Sequence, residues 1–384
     1  MEKTFRFIAT LLITALTACS GIHQSYFTPN AVMPSSLGDR AVKNRTLHNF
    51  TGTPDGKEPR GALLDVGGTL YGTTISGGEH NSGTVFSITP AGVEKVLYSF
   101  KGGSDGAEPI AGLTNVGGTL YGATMRGGTK KQGTVFSVST AGAEKVLYRF
   151  KGGSDGVGPA GTLIDVNGTL YGTTTAGGNG RGTVYSITTA GVEKVLYRFK
   201  GGKDGSEPFA GLAKLGTTLY GTTSGGGATN DGTVYSITPA GVEKVLYAFK
   251  GAPDDGSLTF VSLTAVGNTL YGVTTNGGGP SGNPGTVFSI TPAGAEKVIH
   301  SFDENGPQKP DARLINVGGK LYGETDDTVF SITTSGKIKT LYAFNGDYSS
   351  RPSGGLTYVG GKLYGTTSRG GKDDAGTVFS VSGF

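Results

Sequence analysis

The tripeptide Leu-Tyr-Gly occurs seven times in this chain, with its tyrosines at Tyr71, Tyr121, Tyr171, Tyr220, Tyr271, Tyr322 and Tyr364. Successive steps are 50, 50, 49, 51, 51 and 42 residues. A period near fifty marks a repeat architecture, in which each copy is one supersecondary unit that buries its apolar faces only by packing on its neighbours. Such a period describes a scaffold and carries no chemistry of its own.

The copy from Pro109 to Phe150 shows how one unit is built. Ala111–Val116 has the apolar content of a strand and ends at the turn Gly117-Gly118. Thr119–Thr124 is a second strand, followed by a loop that opens with Gly127-Gly128. Thr134–Val138 is a third, rich in β-branched and aromatic residues, and Glu144–Phe150 is a fourth after the turn Ala141-Gly142. Short strands punctuated by glycine turns predict an antiparallel meander. The chain holds 71 glycines, about two and a half times average usage. Their fixed offsets assign them to turns rather than to disorder.

Seven copies of four strands predict an all-β fold, a seven-bladed β-propeller whose sheets stack face to face. Crowding near the axis calls for small residues. Two positions before the inner-strand leucine the copies read Gly61, Ala111, Gly161, Ala210, Val261, Ala312 and Gly354. Fourth-strand phenylalanines stand at Phe50, Phe100, Phe150, Phe199, Phe249, Phe302 and Phe344. The first precedes every other strand, and the chain ends at Phe384 before a last fourth strand could form. Thr46–Phe50 is therefore expected to complete the last blade as its outer strand, which removes a free sheet edge.

Copies of the form Gly-Gly-Thr-Leu-Tyr-Gly-Thr-Thr, then Gly-Gly, then Gly-Thr-Val-Phe-Ser-Ile-Thr, resemble the GloVer tandem repeat of bacterial exported proteins. That family is similar to kelch propellers in period and in paired glycines. Its members are described as carrying a choice of anchor. The resemblance spans about residues 45 to 384 and implies export and a repeat scaffold, with no activity that transfers to particular residues. The copy Gly323-Glu324-Thr325-Asp326-Asp327-Thr328 departs from it by lacking the loop, so a tight hairpin is expected in blade six.

The N-terminus reads as a targeting segment. Lys3 and Arg6 precede the apolar run Phe7–Leu16, which is short for a membrane span and ends in Leu16-Thr17-Ala18-Cys19. That ending resembles the lipobox of bacterial lipoproteins. It implies a signal peptide over residues 1–18 and a lipid on Cys19, and Ser20, which is not the inner-membrane retention aspartate, implies by the same sorting rule an anchor in the outer membrane. An ordinary secretory signal is the alternative. Cys19 is the one cysteine in the chain, so an internal disulfide is excluded. Residues 19–44, with Pro29, Pro34 and Gly38, read as a flexible tether to the propeller at 45–384.

Loops after the second and fourth strands emerge on one face of an up-and-down blade, and they are the varied ones. Variable-loop candidates for contact with a ligand are His80, Arg126, Lys130, Arg181, Asp231 and Lys372. Just before each inner strand, at the channel mouth, the copies carry Arg60, Ile110, Ala160, Phe209, Phe260, Asp311 and Ser353. A rim of mixed charged and aromatic character suits a glycan or a peptide. The recurring Asp-Gly pairs at Asp55, Asp105, Asp155, Asp204 and Asp255 read as turns rather than calcium ligands. No cofactor or metal site is expected. The four histidines lack metal-ligand spacing, no serine sits in a nucleophile elbow, and no acid pair is selected by its spacing, although Asp311 with Glu58 or Glu324 is conceivable. The net charge of +4 without a basic run speaks against nucleic acid. The expectation is an exported, monomeric binding or scaffolding propeller. A polysaccharide hydrolase or lyase, or an envelope assembly factor docking proteins, are the alternatives.

Overall fold

The computed structural model describes residues 42–282, 284–303, 306, 308–344 and 350–384. The expected signal peptide, Cys19 and most of the expected tether lie outside these residues. The chain forms seven four-stranded antiparallel blades in sequence order. In blade 1 the strands are Leu64–Val66, Thr69–Thr74, Thr84–Ile88 and Glu94–Ser99, running from the axis outward. Blades 2 to 6 repeat the plan. Blade 7 takes Thr357–Val359, Lys362–Thr367 and Thr377–Ser382 from the C-terminal end, and its fourth strand is Lys43–Asn49. That strand pairs antiparallel with Thr377–Ser382, from Lys43 opposite Ser382 to Asn49 opposite Thr377. It starts three residues earlier than expected. Phe50 lies just past it, with its N–H donating to Gly376 O at 3.0 Å, as Phe100 N–H donates to Gly83 O.

The repeated motif is explained by what each residue touches. Leucine and tyrosine of Leu-Tyr-Gly are buried on opposite faces of the second strand, as the period of two requires. The glycine is small because the third-strand ring passes over it. A Cβ on Gly72 would stand 2.5 Å from the Phe86 ring and 2.9 Å from Leu63. The second threonine of Gly-Thr-Thr pairs its hydroxyl with the threonine of Gly-Thr-Val, for example Thr74 with Thr84 at 2.8 Å. In blade 6 the expected tight hairpin is present, and Thr325 still meets Thr328 at 2.7 Å.

Blade joins bury the core. At each join a fourth-strand phenylalanine meets the third-strand aromatic of the next blade edge to face, with ring centroids between 5.0 and 5.5 Å apart. Phe50 supplies this contact between blade 7 and blade 1 through Phe86, so the ring is closed by the same interaction that builds it. Near the axis the Thr357 hydroxyl donates to Leu63 O across that join, as Thr114 does to Leu163 O between blades 2 and 3.

The first strand is shorter than Ala111–Val116 suggested: only Thr114–Val116 pairs. Ala111–Leu113 is apolar and small for another reason. A Cβ on Gly61 would lie 2.6 Å from the Ala111 carbonyl carbon, and one on Gly161 would lie 2.4 Å from Gly211 N. These segments are wedged between neighbouring backbones at the axis, and crowding rather than sheet pairing sets their composition.

Candidate functional site at the channel mouth

Backbone bridges place both varied loop sets on one face. Lys57 pairs with Ser76, Ala107 with Arg126, and Ser206 with Gly225, in each case joining the segment that enters a blade to its second-to-third loop. In blades 3 and 5 the same joining is regular enough to form extra short strands, Val157–Pro159 and Gly256–Ser257. These loops are consequently better held than their sequence variation suggested. Asn81, Asn230 and Asp374 each fold back to accept a backbone N–H from a glycine four residues earlier.

Of the variable-loop candidates, Arg126 is committed to Glu108 at 3.1 Å, and Asp231 lies under the Gly251 turn. His80, Lys130, Arg181 and Lys372 are exposed on separate loops. Nothing draws these six into one cluster. The Asp-Gly aspartates are turn elements. Asp105 accepts from the Tyr98 hydroxyl at 2.9 Å and from Lys101 N–H at 2.7 Å, and Asp155, Asp204 and Asp255 repeat this with Tyr148, Tyr197 and Tyr247. In blade 7 the tyrosine is replaced by His48, 3.0 Å from Asp55.

The channel-mouth residues divide into two sectors. Phe209 and Phe260, from adjacent blades, meet edge to face at 5.9 Å, and both are half-buried. Arg60, Asp311 and Ser353 belong to the sector of blades 6, 7 and 1. Ile110 and Ala160 fall between the two. Asp311 is felt by Arg60, Arg351 and Asp326, yet burial dominates and pushes its carboxyl up to about 8. Burial likewise pulls the Arg60 guanidinium down, against the attraction of Asp311 and Glu58.

Glu324 joins this sector. In blade 6 it pairs with Val329, the register position that Thr73 occupies opposite Val85 in blade 1. Thr73 uses its hydroxyl to tie blade 1 to Ala111 O at 2.9 Å. Glu324 instead accepts from Gly355 N–H at 2.9 Å, is fully buried, and is held up to about 8 chiefly by desolvation, with Asp311 adding to the rise. Buried atoms without a partner among the described residues gather here: Arg60 Nε, Asp311 Oδ1, Glu324 Oε1, Ser353 Oγ and Thr366 Oγ1. Only a weak signal marked Glu324 beforehand, an acid where other copies have threonine, alanine or valine.

Comparison with known proteins agrees with the architecture. No curated protein matches this sequence. Among solved structures, a catalytically inactive virginiamycin B lyase from Staphylococcus aureus, with quinupristin, is similar at TM-score 0.63 and 16% identity, over 89% of this chain and 99% of that one. The extracellular domain of a one-component system from B. thetaiotaomicron is similar at TM-score 0.57 and 10% identity, over 85% of this chain and 38% of that one. At such identities the likeness is one of fold. The model of the Gloeobacter/Verrucomicrobia repeat matches residues 38–180, 91–283, 142–327 and 279–383, which together run the length of the propeller. The chain belongs to the Gloeobacter/Verrucomicrobia repeat family.

Proposed function

We propose that this protein is a non-catalytic binding module, exported and lipid-anchored through Cys19, that takes a glycan or a short peptide at the channel mouth. The observation that carries the reading is the group of buried polar atoms without partners in the sector of Arg60, Asp311, Glu324, Ser353 and Thr366. A buried donor or acceptor left unmade costs about 1–3 kcal/mol. Several in one place are best accounted for by a partner from outside the chain. Phe209 and Phe260 offer an apolar surface in the other sector, the pairing of polar anchor and aromatic platform that a ligand pocket uses.

A hydrolase or lyase is the second reading, favoured by the two carboxyls of Asp311 and Glu324. Both are held toward the protonated form, which leaves the pair without the ionised member that acid–base cleavage requires at neutral pH. Binding is the better fit.

Thermal melts with cello- and chito-oligosaccharides and with short peptides at millimolar concentration test the mouth. A stabilisation lost both in Arg60→Met with Asp311→Asn and in Phe209→Ala with Phe260→Ala is the expected result. Stabilisation that survives both pairs, or none with any probe, overturns the reading. For the anchor, Cys19→Ser is expected to move the protein from the membrane to the soluble fraction; an unchanged membrane fraction would refute it.

A further inference from the structure

One residue deeper than the mouth, each blade contributes a residue at the axis: Ala62, Gly112, Thr162, Gly211, Ser262, Arg313 and Gly355. Their mutual closeness is direct. A Cβ on Gly355 would touch Ala62 Cβ at 3.6 Å and Arg313 backbone at 3.8 Å, one on Gly112 would stand 2.7 Å from Ala62 O, and one on Gly211 would stand 3.0 Å from Ser262 Oγ. Six of the seven are glycine, alanine, serine or threonine, as crowding demands. The seventh is an arginine.

Arg313 is reached by water and at the same time enclosed by protein, since desolvation alone pulls its guanidinium down. Exposed among axial segments packed this closely, its side chain lines the space between the blades. No carboxylate is among the groups acting on it. Asp311, two residues away, is engaged electrostatically with Arg60, Arg351 and Asp326 instead. Thr162 accepts from Gly112 N–H at 3.2 Å, which leaves its own hydrogen to donate, and Ser262 adds a second hydroxyl to the ring. Arg60 and Arg351 both act on Asp311, whose carboxyl burial pushes up to about 8. Hydroxyl and guanidinium donors therefore line this ring, while the nearby carboxyls have their own neighbours: Asp311 faces Arg60 and Arg351, Asp326 faces Arg351 and Lys309, and Glu324 accepts from Gly355 N–H. A guanidinium with five N–H donors, lacking a carboxylate of its own, is matched by an oxyanion.

We propose that the channel is an oxyanion site in which Arg313 takes the carboxylate, sulfate or phosphate group of a ligand admitted through the mouth. The inference deepens the binding reading by naming the charge of the ligand, and it rests on the mouth being open to ligand. Its test uses inorganic sulfate, phosphate and citrate, titrated at constant ionic strength against chloride by calorimetry and thermal melts. Saturable binding is expected in the wild type, weakened at least tenfold in Arg313→Gln and retained in part by Arg313→Lys. Without anion, Arg313→Gln is expected to melt with the wild type, because the guanidinium holds no partner among the described residues; Lys95→Gln, at an exposed strand position, controls for charge. Equal stabilisation of Arg313→Gln and wild type by sulfate, or no saturable binding of any of the three anions, overturns the proposal. Phe209→Ala with Phe260→Ala separates the two ideas. It is expected to abolish oligosaccharide binding and leave sulfate binding intact, so either can fail alone.

Discussion

At the scale of the residue, the repeat can be read as seven experiments on one environment. The third-strand ring that covers the Leu-Tyr-Gly glycine is Phe86, Phe136 and Phe288 in blades 1, 2 and 5, but Tyr185 and Tyr235 in blades 3 and 4. All five are fully buried, and the two tyrosine hydroxyls have no partner among the described residues. The hydroxyl of Tyr185 points at Gly172, where an ideal Cβ would come within 2.6 Å of it. Burying an unmade hydroxyl costs about 1–3 kcal/mol, whereas the ring alone is at home there. Tyr185→Phe and Tyr235→Phe are therefore expected to stabilise the protein, each by roughly 1 kcal/mol or more, read from denaturant midpoints. A loss of stability in both would mean that the hydroxyls are satisfied in solution.

At the scale of the element, the joins between blades carry a titrating group that repeats. Tyr98 donates to Asp105, and Glu144 of the next blade faces the same hydroxyl, which tempers the rise of its carboxyl. Burial, with Asp105 adding, holds Glu144 up to about 7, and Glu193, Glu243 and Glu296 repeat this beside Asp155, Asp204 and Asp255. Glu94 does so beside Asp55. A carboxyl raised in the folded state keeps its proton longer there than in the unfolded chain. Its stabilising contribution is complete below the ordinary glutamate value of 4.5 and fades as pH rises toward about 7. Melting temperature is accordingly expected to fall between pH 5 and pH 7 (roughly the interval between the two values), and Glu→Gln at all five positions to flatten the profile. A wild-type melting temperature that stays level or rises over that interval would contradict the assignment. This join was not legible in the sequence, because Glu144 and Asp105 belong to different copies and their meeting depends on how blades stack. The strands themselves were legible, since each is written seven times with the same alternation. Where reading failed, as in Ala111–Leu113, the residue types needed for axial crowding are the ones a weak strand also uses.

At the scale of the whole molecule, the question is how a linear repeat becomes a ring. Strand count alone pointed to Phe50, because a fourth-strand phenylalanine with no strand before it can serve only the last blade. The mouth was legible in position but not in chemistry: Glu324 and Arg313 acquire meaning only once blades 6, 7 and 1 adjoin. Closure has a cost and a return that can be measured. Phe50 is fully buried and makes the blade-7 to blade-1 ring contact, with Leu47 packed against the same cluster. Side chains of that size contribute about 1.5–3 kcal/mol each when fully buried, against a typical domain stability of about 5–15 kcal/mol. Deleting residues 45–50 also strips Thr377–Ser382 of its partner and leaves an unpaired edge that invites aggregation. Deleting residues 21–40, a longer cut outside the described residues, is expected to leave the melt nearly unchanged. The sharper comparison needs no deletion. Phe50 and Phe150 make the same edge-to-face contact at 5.1 Å, although one is near the chain's start and the other mid-ring. Phe50→Ala is thus expected to cost as much as Phe150→Ala, about 3–5 kcal/mol. If Phe50→Ala melts like the wild type while Phe150→Ala does not, the ring is open in solution and the N-terminal strand does not close it.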